Sequence, residues 1–184
     1  MKKKLYDDSW MYVLLLTTLI ILTESIKGYT FKLLGYDISF SIILIPLIYI
    51  ISNFITKKYN YKKTIFAIGI STICLIGFLL IMCFAIGKEF IITDIIGDIG
   101  AYLASQCINL ILCTFLIYNT RPNVILIYST YLLSLIIFYM TYTIIYLNTM
   151  SLDNYWQIYL IAMGINGIIC IPLAIIDKLI KLGR

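Results

Sequence analysis

The sequence predicts an all-α polytopic membrane protein, a bundle of six transmembrane helices with the N and C termini on the cytoplasmic side. Of its 184 residues 62% are apolar and 12% charged, with a mean hydropathy of +1.00. Such a chain has too little polar surface to cover a soluble domain of its size. The apolar residues also fall into six runs of membrane-spanning length, and the basic residues collect on one side of them.

The six runs account for nearly the whole chain. The predicted spans are residues 10–26, 38–55, 64–86, 96–118, 123–147 and 155–176. At about 1.5 Å per residue, each covers most of a hydrocarbon core about 30 Å thick. The first run follows a basic N-terminus but lacks a small-x-small cleavage site, so we expect it to be retained as a helix. Residues 1–184 are therefore predicted to form a single integral membrane domain.

The distribution of Lys and Arg sets the predicted orientation. In the six-span arrangement most of the 14 basic residues fall on one side: Lys2, Lys3, Lys4, Lys57, Lys58, Lys62, Lys63, Arg121, Lys178, Lys181 and Arg184. Because basic loops stay in the cytoplasm, this side is predicted to be cytoplasmic and the chain to lie in the cell membrane. The net charge of +5 is spread over loops between apolar runs, which favours anionic lipid head groups over nucleic acid as partners.

Enzyme and metal chemistry lack their usual residues. The chain has no histidine, and its five cysteines all lie within apolar runs without a CxxC pair. Zinc, haem and disulfide frameworks are therefore not expected, and the thiols are predicted to be packing residues. No GxxxxGK[ST] motif for nucleotide phosphates is present. We predict neither an enzyme nor a cofactor, and a homo-oligomer stays open.

Acidic residues near the outer ends of the spans have two interpretations each. Glu24 lies within the predicted first span, where an acid is expensive unless paired. It could form a local ion pair with Lys27 or line a cavity as a functional acid. Asp94 and Asp98 lie one turn apart at the start of the fourth span, where the positive end of the helix dipole favours acids. Solvated acids are the simpler interpretation of this pair.

Carboxamides in the middle of apolar spans are the strongest candidates for function. Gln106 and Asn109 are three residues apart, so they share one face of the fourth span. Asn53 lies in the inner part of the second span, and Asn166 in the middle of the sixth. A buried amide in lipid must bond another helix or a ligand. Each alone could simply hold helices together, but amides of different helices at similar depth form a polar site if their faces converge.

Two prolines lie inside predicted spans. Pro46 near the centre of the second span removes the helical bond to the Ile42 carbonyl, and Pro172 in the sixth removes the bond to Ile168. Interrupted helices expose backbone polar groups to substrates in some transporters. Kinks without a ligand are equally common, so neither proline alone indicates a site.

The order of these features resembles the vitamin-uptake-transporter (VUT) family, six-helix membrane proteins regarded as queuosine-precursor transporters. Span two of that family carries a proline, an aspartate seven residues later and a glycine seven further on, followed by basic residues. Pro46, Asn53 and Asn60 stand at those spacings here, before Lys62 and Lys63. The resemblance extends from about the first span to Lys181.

Three further segments resemble the family. Span four of the family carries Ala-Tyr, then Gln, then Asp three residues later, which the segment AYLASQCIN matches with Ala101, Tyr102, Gln106 and Asn109. A basic residue and a Ser-Thr pair open span five, as Arg121, Ser129 and Thr130 do here, and Pro172 precedes a basic tail. Asparagine replaces the family's aspartate at 53 and 109, Asn60 replaces its glycine, and the aspartate of span five falls near Ile137.

The resemblance implies import of a flat heterocycle such as 7-cyano-7-deazaguanine or its aminomethyl relative. An amide presents a donor beside an acceptor and so suits the edge of such a base, and an aromatic face can stack on its ring. As a hypothesis, the substrate-binding residues are Asn53, Gln106, Asn109, Asn166, Tyr49 and Tyr102. Asparagine cannot exchange a proton, so the two replacements at 53 and 109 bear on the substrate or the driving force.

Two other classes of protein fit the same sequence. The chain could be the substrate-capturing subunit of an energy-coupling-factor transporter, although its first span lacks the small-residue AxxxA docking pattern. It could also be a membrane scaffold protein that transports nothing, in which the amides only join helices. Neither the exact substrate, the coupling ion nor the oligomeric state is indicated by the sequence.

Overall fold

The computed structural model describes residues 9–85, 92–119, 123–146 and 152–179, and within them the chain is predominantly helical. The helices are α1 (Ser9–Ser25), α2 (Ile45–Lys58), α3 (Tyr61–Ala85), α4 (Ile92–Asn119), α5 (Val124–Tyr146) and α6 (Leu152–Leu179). The predicted all-α bundle is confirmed. Five of the six predicted spans differ from the observed helices by at most four residues at each end, and the second span is the exception.

Five segments are long and apolar enough to cross a membrane: Phe40–Lys58, which joins a short 3-10 helix to α2, and one segment in each of α3 to α6. The remaining helix, α1, is apolar but has 17 residues, or about 26 Å at 1.5 Å per residue. Large apolar side chains such as Ile73, Phe84, Ile125 and Ile144 are exposed on the outside of the bundle. A surface of this kind requires lipid around it, so the chain is a multi-pass membrane protein.

A β-hairpin that the sequence analysis missed connects α1 to α2. Strand β1 (Thr30–Leu33) pairs antiparallel with β2 (Tyr36–Ser39). The predicted second span began at residue 38, but Ile38 belongs to β2 and is fully buried. A Leu-Gly turn closes the hairpin with φ of 54° at Leu34 and 87° at Gly35. Positive φ at both central residues is typical of a type I′ turn, for which Asn-Gly is the usual sequence.

The turn residue Leu34 provides a test of the hairpin. Leucine pays about 1–2 kcal/mol for left-handed backbone, and Leu34 is 77% exposed, so Leu34→Asn loses little packing. We expect this change to raise the melting temperature of the purified protein by about 2–4 °C per kcal/mol gained. Leu33→Asn, on the strand at negative φ, is the control and should not stabilise. A lower melting temperature for Leu34→Asn would contradict the turn assignment.

Pro46 begins a helix rather than interrupting one, which corrects the predicted role of this proline. Residues Phe40–Leu44 form a 3-10 helix, and Pro46 occupies the first turn of α2. A first-turn proline sacrifices no helical hydrogen bond, because the N–H groups there have no partner within the helix. Pro172 does lie inside α6, as predicted.

Helix α2 lies at the centre of the bundle. Of the five spanning segments, the one that contains α2 is the most enclosed, with 61% of its apolar window buried. Its Tyr49 belongs to an apolar cluster with α5 and α6, while Ile48 and Ile55 belong to a second cluster with α1, α3 and α4.

We name the two ends of the bundle by the segments found there. The hairpin end carries β1 and β2, and the lysine end carries the basic segment from Lys57 to Lys63.

Candidate functional site

A cavity of about 260 Å³ opens inside the hairpin half of the bundle. It is enclosed by α1, α2, α4, α5, α6 and the hairpin, with Leu75 contributed by α3. Its walls are mainly apolar and aromatic, and the charged groups lie at one end. This arrangement, an apolar pocket with a few convergent polar groups, is typical of a small-molecule site.

Gln106 of α4 supplies the unsatisfied polar group of the cavity. Its side chain lines the cavity and is completely buried. Neither Oε1 nor Nε2 has a hydrogen-bond partner among the residues that the structure describes. Leaving a buried amide unpaired costs about 1–3 kcal/mol per group. Among the described residues, the predicted binding residue Gln106 therefore offers an unpaired donor and acceptor to the cavity.

Two predicted tyrosines also line the cavity. Tyr49 of α2 and Tyr102 of α4 are almost fully buried. The Tyr102 hydroxyl lies 2.9 Å from Ser71 Oγ of α3, and Tyr49 Oη donates over 3.4 Å to the Ser134 carbonyl oxygen. These bonds fix the two rings beside the cavity and leave their aromatic carbons as its wall.

An aromatic wall from α5 and α6 was not predicted. It consists of Phe138, Tyr139, Tyr142 and Tyr159, with neighbouring ring centroids 5.1–6.2 Å apart. All four line the cavity. Tyr142 lies three residues after Tyr139 and four after Phe138, which places its ring next to both on the surface of α5. This cluster could not be predicted from the sequence, because the chain is rich in tyrosine and no sequence signal distinguishes these four residues from its other aromatic residues.

Charged side chains surround the hairpin end of the cavity. Glu24, Asp37 and Asp98 contribute carboxylates, and Lys27 an ammonium group. Lys27 Nζ lies 2.6 Å from Asp98 Oδ1 and 3.9 Å from Glu24 Oε1, and 5.3 Å from the centroid of the Tyr142 ring. Glu24 both neighbours Lys27 and lines the cavity, so its predicted ion pair is confirmed and its role as a functional acid stays a prediction. The solvated interpretation of Asp98 is wrong, because Asp98 pairs with Lys27; the side chain of Asp94 lies outside the described residues.

The Lys27 ammonium group remains charged in this setting. Burial alone lowers its pKa, but the nearby carboxylates of Asp98 and Glu24 outweigh that effect and raise the pKa above its ordinary value. A residue with a raised pKa contributes its pairing energy at all pH values below its ordinary pKa. The pair at the hairpin end is therefore intact throughout the physiological range.

Asn53 and Asn109 do not line the large cavity, although the structure brings them together. Asn109 Nδ2 donates to Asn53 Oδ1 over 2.8 Å and to Ser52 Oγ over 3.1 Å. Both asparagines are almost completely buried. They lie one turn further toward the lysine end than Tyr49 and Gln106, so they form a polar layer beneath the cavity. The convergence of Asn53, Asn109 and Gln106 on one hollow is thus only partial.

Asn166 of α6 acts on the cavity through a tyrosine. Its Nδ2 donates over 2.6 Å to the hydroxyl of Tyr139, which belongs to the aromatic wall. Asn166 is fully buried and does not line the cavity. Among the six predicted residues, Tyr49, Tyr102 and Gln106 therefore face the cavity directly, and Asn53, Asn109 and Asn166 lie behind or below it.

A buried ion pair near the lysine end was also missed. Lys57 Nζ donates to Asp177 Oδ1 over 2.6 Å and to the Asp177 carbonyl oxygen over 2.9 Å. The two side chains are only 7% and 1% exposed. Lys57 was counted among the basic loop residues, but it lies in the last turn of α2 and is buried. The acid of the segment AIIDKL was the available signal, since a carboxylate at the end of an apolar span demands a partner.

Comparison of the chain with protein-family models, with curated proteins and with solved structures finds no match. The geometry of the cavity and of the polar layer beneath it is thus the basis for a functional assignment.

Proposed function

We propose that this protein is a membrane transporter that imports a small flat heterocycle, most simply a queuosine precursor of the 7-deazaguanine type. The observation that carries the proposal is Gln106, a fully buried carboxamide that lines the cavity with no partner for either polar atom among the described residues. A helix-joining amide has a bonding partner on another helix. Gln106 is instead available to a ligand with adjacent donor and acceptor atoms.

The size and walls of the cavity support a ligand of this class. A volume of about 260 Å³ falls just below the roughly 300–1,000 Å³ of sites for drug-sized molecules. It suits a single bicyclic ring better than a large vitamin. Aromatic side chains such as Tyr142 and Tyr159 offer apolar surface and ring faces to such a molecule, and Gln106 offers an edge contact.

The charges at the hairpin end favour a ligand that carries an amine. The lining residues there supply three carboxylates and one ammonium group, namely Glu24, Asp37 and Asp98 against Lys27. A protonated aminomethyl group gains from this excess of negative charge, whereas a neutral nitrile does not. The aminomethyl precursor is therefore the preferred substrate in our proposal.

The predicted orientation of the chain supports import. By the positive-inside rule, the basic segment from Lys57 to Lys63 predicts that the lysine end faces the cytoplasm. In the cell membrane the cavity then lies in the half of the bundle that faces away from the cytoplasm. An importer waiting for its ligand is expected to have this arrangement.

Uptake and tRNA modification test the proposal together. A strain unable to synthesise or import queuosine precursors is supplied with this gene or with an empty vector, and fed the labelled aminomethyl precursor. We expect label to accumulate and queuosine to appear in tRNA only with the gene. If the protein is present in the membrane but the label does not accumulate and no queuosine appears in tRNA, import is contradicted. Uptake that requires a co-purifying ATPase would instead indicate an energy-coupling-factor subunit, and a protein that is present in the membrane but takes up neither precursor would fit a scaffold.

A further inference from the structure

We propose that the buried pair of Lys57 and Asp177, with the asparagines next to it, is the gate that closes the cavity toward the lysine end. This inference rests on the proposed function, because a gate presupposes passage through the bundle. It assigns a role to two residues that do not touch the cavity.

The pair lies on two of the helices that line the cavity, but further along them. On α2, Tyr49 lines the cavity, and Asn53 and Lys57 follow at successive turns of the same face. Eight residues at 1.5 Å each place Lys57 about 12 Å beyond Tyr49. On α6, Ala162 lines the cavity and Asp177 lies near the other end of the helix. Helices α2 and α6 therefore both line the cavity, and beyond it the ion pair joins them.

Hydrogen bonds extend the pair into a continuous layer across three helices. Asp177 Oδ2 accepts from Asn53 Nδ2 over 3.4 Å, and Asn53 Oδ1 accepts from Asn109 Nδ2 over 2.8 Å. The layer thus ties α6 to α2 and α2 to α4. Between the residues of the layer only a space of about 10 Å³ remains, lined by Asn53, Lys57, Cys113 and Asp177 among others. Such a space is too small for any ligand.

The energetics of a buried ion pair suit a contact that has to open. The desolvation penalty of two charges offsets much of their attraction, so a buried pair stabilises the closed form only weakly compared with apolar packing. When α2 and α6 separate, water enters and solvates both charges again. The ion pair itself therefore opposes opening less than an apolar contact of the same size would. The pair at the hairpin end differs, since Lys27 there is 34% exposed and borders the cavity instead of sealing it.

A native thiol reports on this gate. Cys113 of α4 is 3% exposed and lines the small space beside Lys57 and Asp177. With Cys74, Cys83, Cys107 and Cys170 replaced by alanine, it is the sole thiol, and a membrane-impermeant methanethiosulfonate can be added to right-side-out or inverted vesicles. The rate of modification from each face measures how often the layer opens. No substrate is needed, so this test can fail or succeed independently of the uptake assay.

We expect Asp177→Asn to speed modification of Cys113 from the lysine end by about tenfold, which corresponds to about 1.4 kcal/mol in favour of the open form. Asn53→Ala removes two hydrogen bonds without stranding a charge and should give a smaller increase, about threefold. The exchanged pair Lys57→Asp with Asp177→Lys should return the rate toward that of the parent. Lys58→Gln is the matched control, because Lys58 Nζ bonds Tyr12 Oη, and should leave the rate unchanged.

Several outcomes would overturn the gate. One is modification of Cys113 at the parental rate in both Asp177→Asn and Asn53→Ala. If Asp177→Asn does not fold, the rate in Asn53→Ala decides alone. Another is an equal increase from both faces, which would indicate general loosening of the bundle. A third is an exchanged pair that is modified as fast as Asp177→Asn, since the pairing itself would then be irrelevant.

Discussion

Replacing Gln106 by leucine is expected to reduce uptake of the labelled aminomethyl precursor to background, a loss of at least about tenfold, equal to about 1.4 kcal/mol for one lost polar contact. Leucine keeps the volume of the side chain but cannot pair with the edge of a base. The same variant should unfold at a higher temperature, because it removes a buried amide with no partner among the described residues. Uptake in cells and thermal unfolding in detergent measure the two effects.

Lower uptake together with a higher unfolding temperature in Gln106→Leu would show that Gln106 contacts the ligand and does not hold the helices together. If Gln106 joined helices, leucine would lower both the melting temperature and the uptake. Gln157→Leu is the matched control, because Gln157 is an exposed glutamine near the beginning of α6; it should leave uptake intact. Wild-type uptake by Gln106→Leu would remove Gln106 from the binding site and with it the main support for the proposed function.

Hydrophobic pattern and charge were sufficient to predict the helices, because both follow from the lipid environment alone. Long apolar runs must be helical where no water can satisfy the backbone, and α3 to α6 begin and end within a few residues of the predicted limits. The hairpin between α1 and α2 could not be predicted in this way. Its strands are only four residues each, and its turn uses Leu34 where the usual signal is asparagine.

Only part of the candidate site could be predicted, because the sequence does not show which polar side chains bond each other between helices. Spacing places Gln106 and Asn109 on one face of α4, but only the packed structure shows that Asn109 bonds Asn53 while Gln106 bonds no described residue. Ion pairs between distant segments were missed for the same reason. Lys57 meets Asp177 across 120 positions of sequence, and nothing in either local segment specifies the other. Sequence identifies costly polar groups in lipid; it does not say which ones satisfy each other.

Replacing Asp98 by asparagine is expected to lower uptake of the aminomethyl precursor by about tenfold while uptake of the nitrile precursor changes less than about twofold. The Asp98 side chain is 12% exposed, so its charge is only weakly screened by water and acts strongly on a cation at the hairpin end. Loss of this carboxylate also releases Lys27 from its closest partner, which leaves an ammonium group that repels the amine. Parallel uptake of the two labelled precursors measures the change in preference.

A graded control distinguishes local charge from a general effect on folding. Asp37 also lines the cavity, but it is exposed on β2 and lies opposite Lys32 in the hairpin. Water and the neighbouring lysine weaken its field, so Asp37→Asn should reduce amine uptake much less than Asp98→Asn. An equal loss of both precursors in Asp98→Asn would mean that the Lys27 pair serves only to hold α1 and α4 together. A selective loss of the amine is the result that places the ligand's positive charge at the hairpin end and its ring beside Gln106.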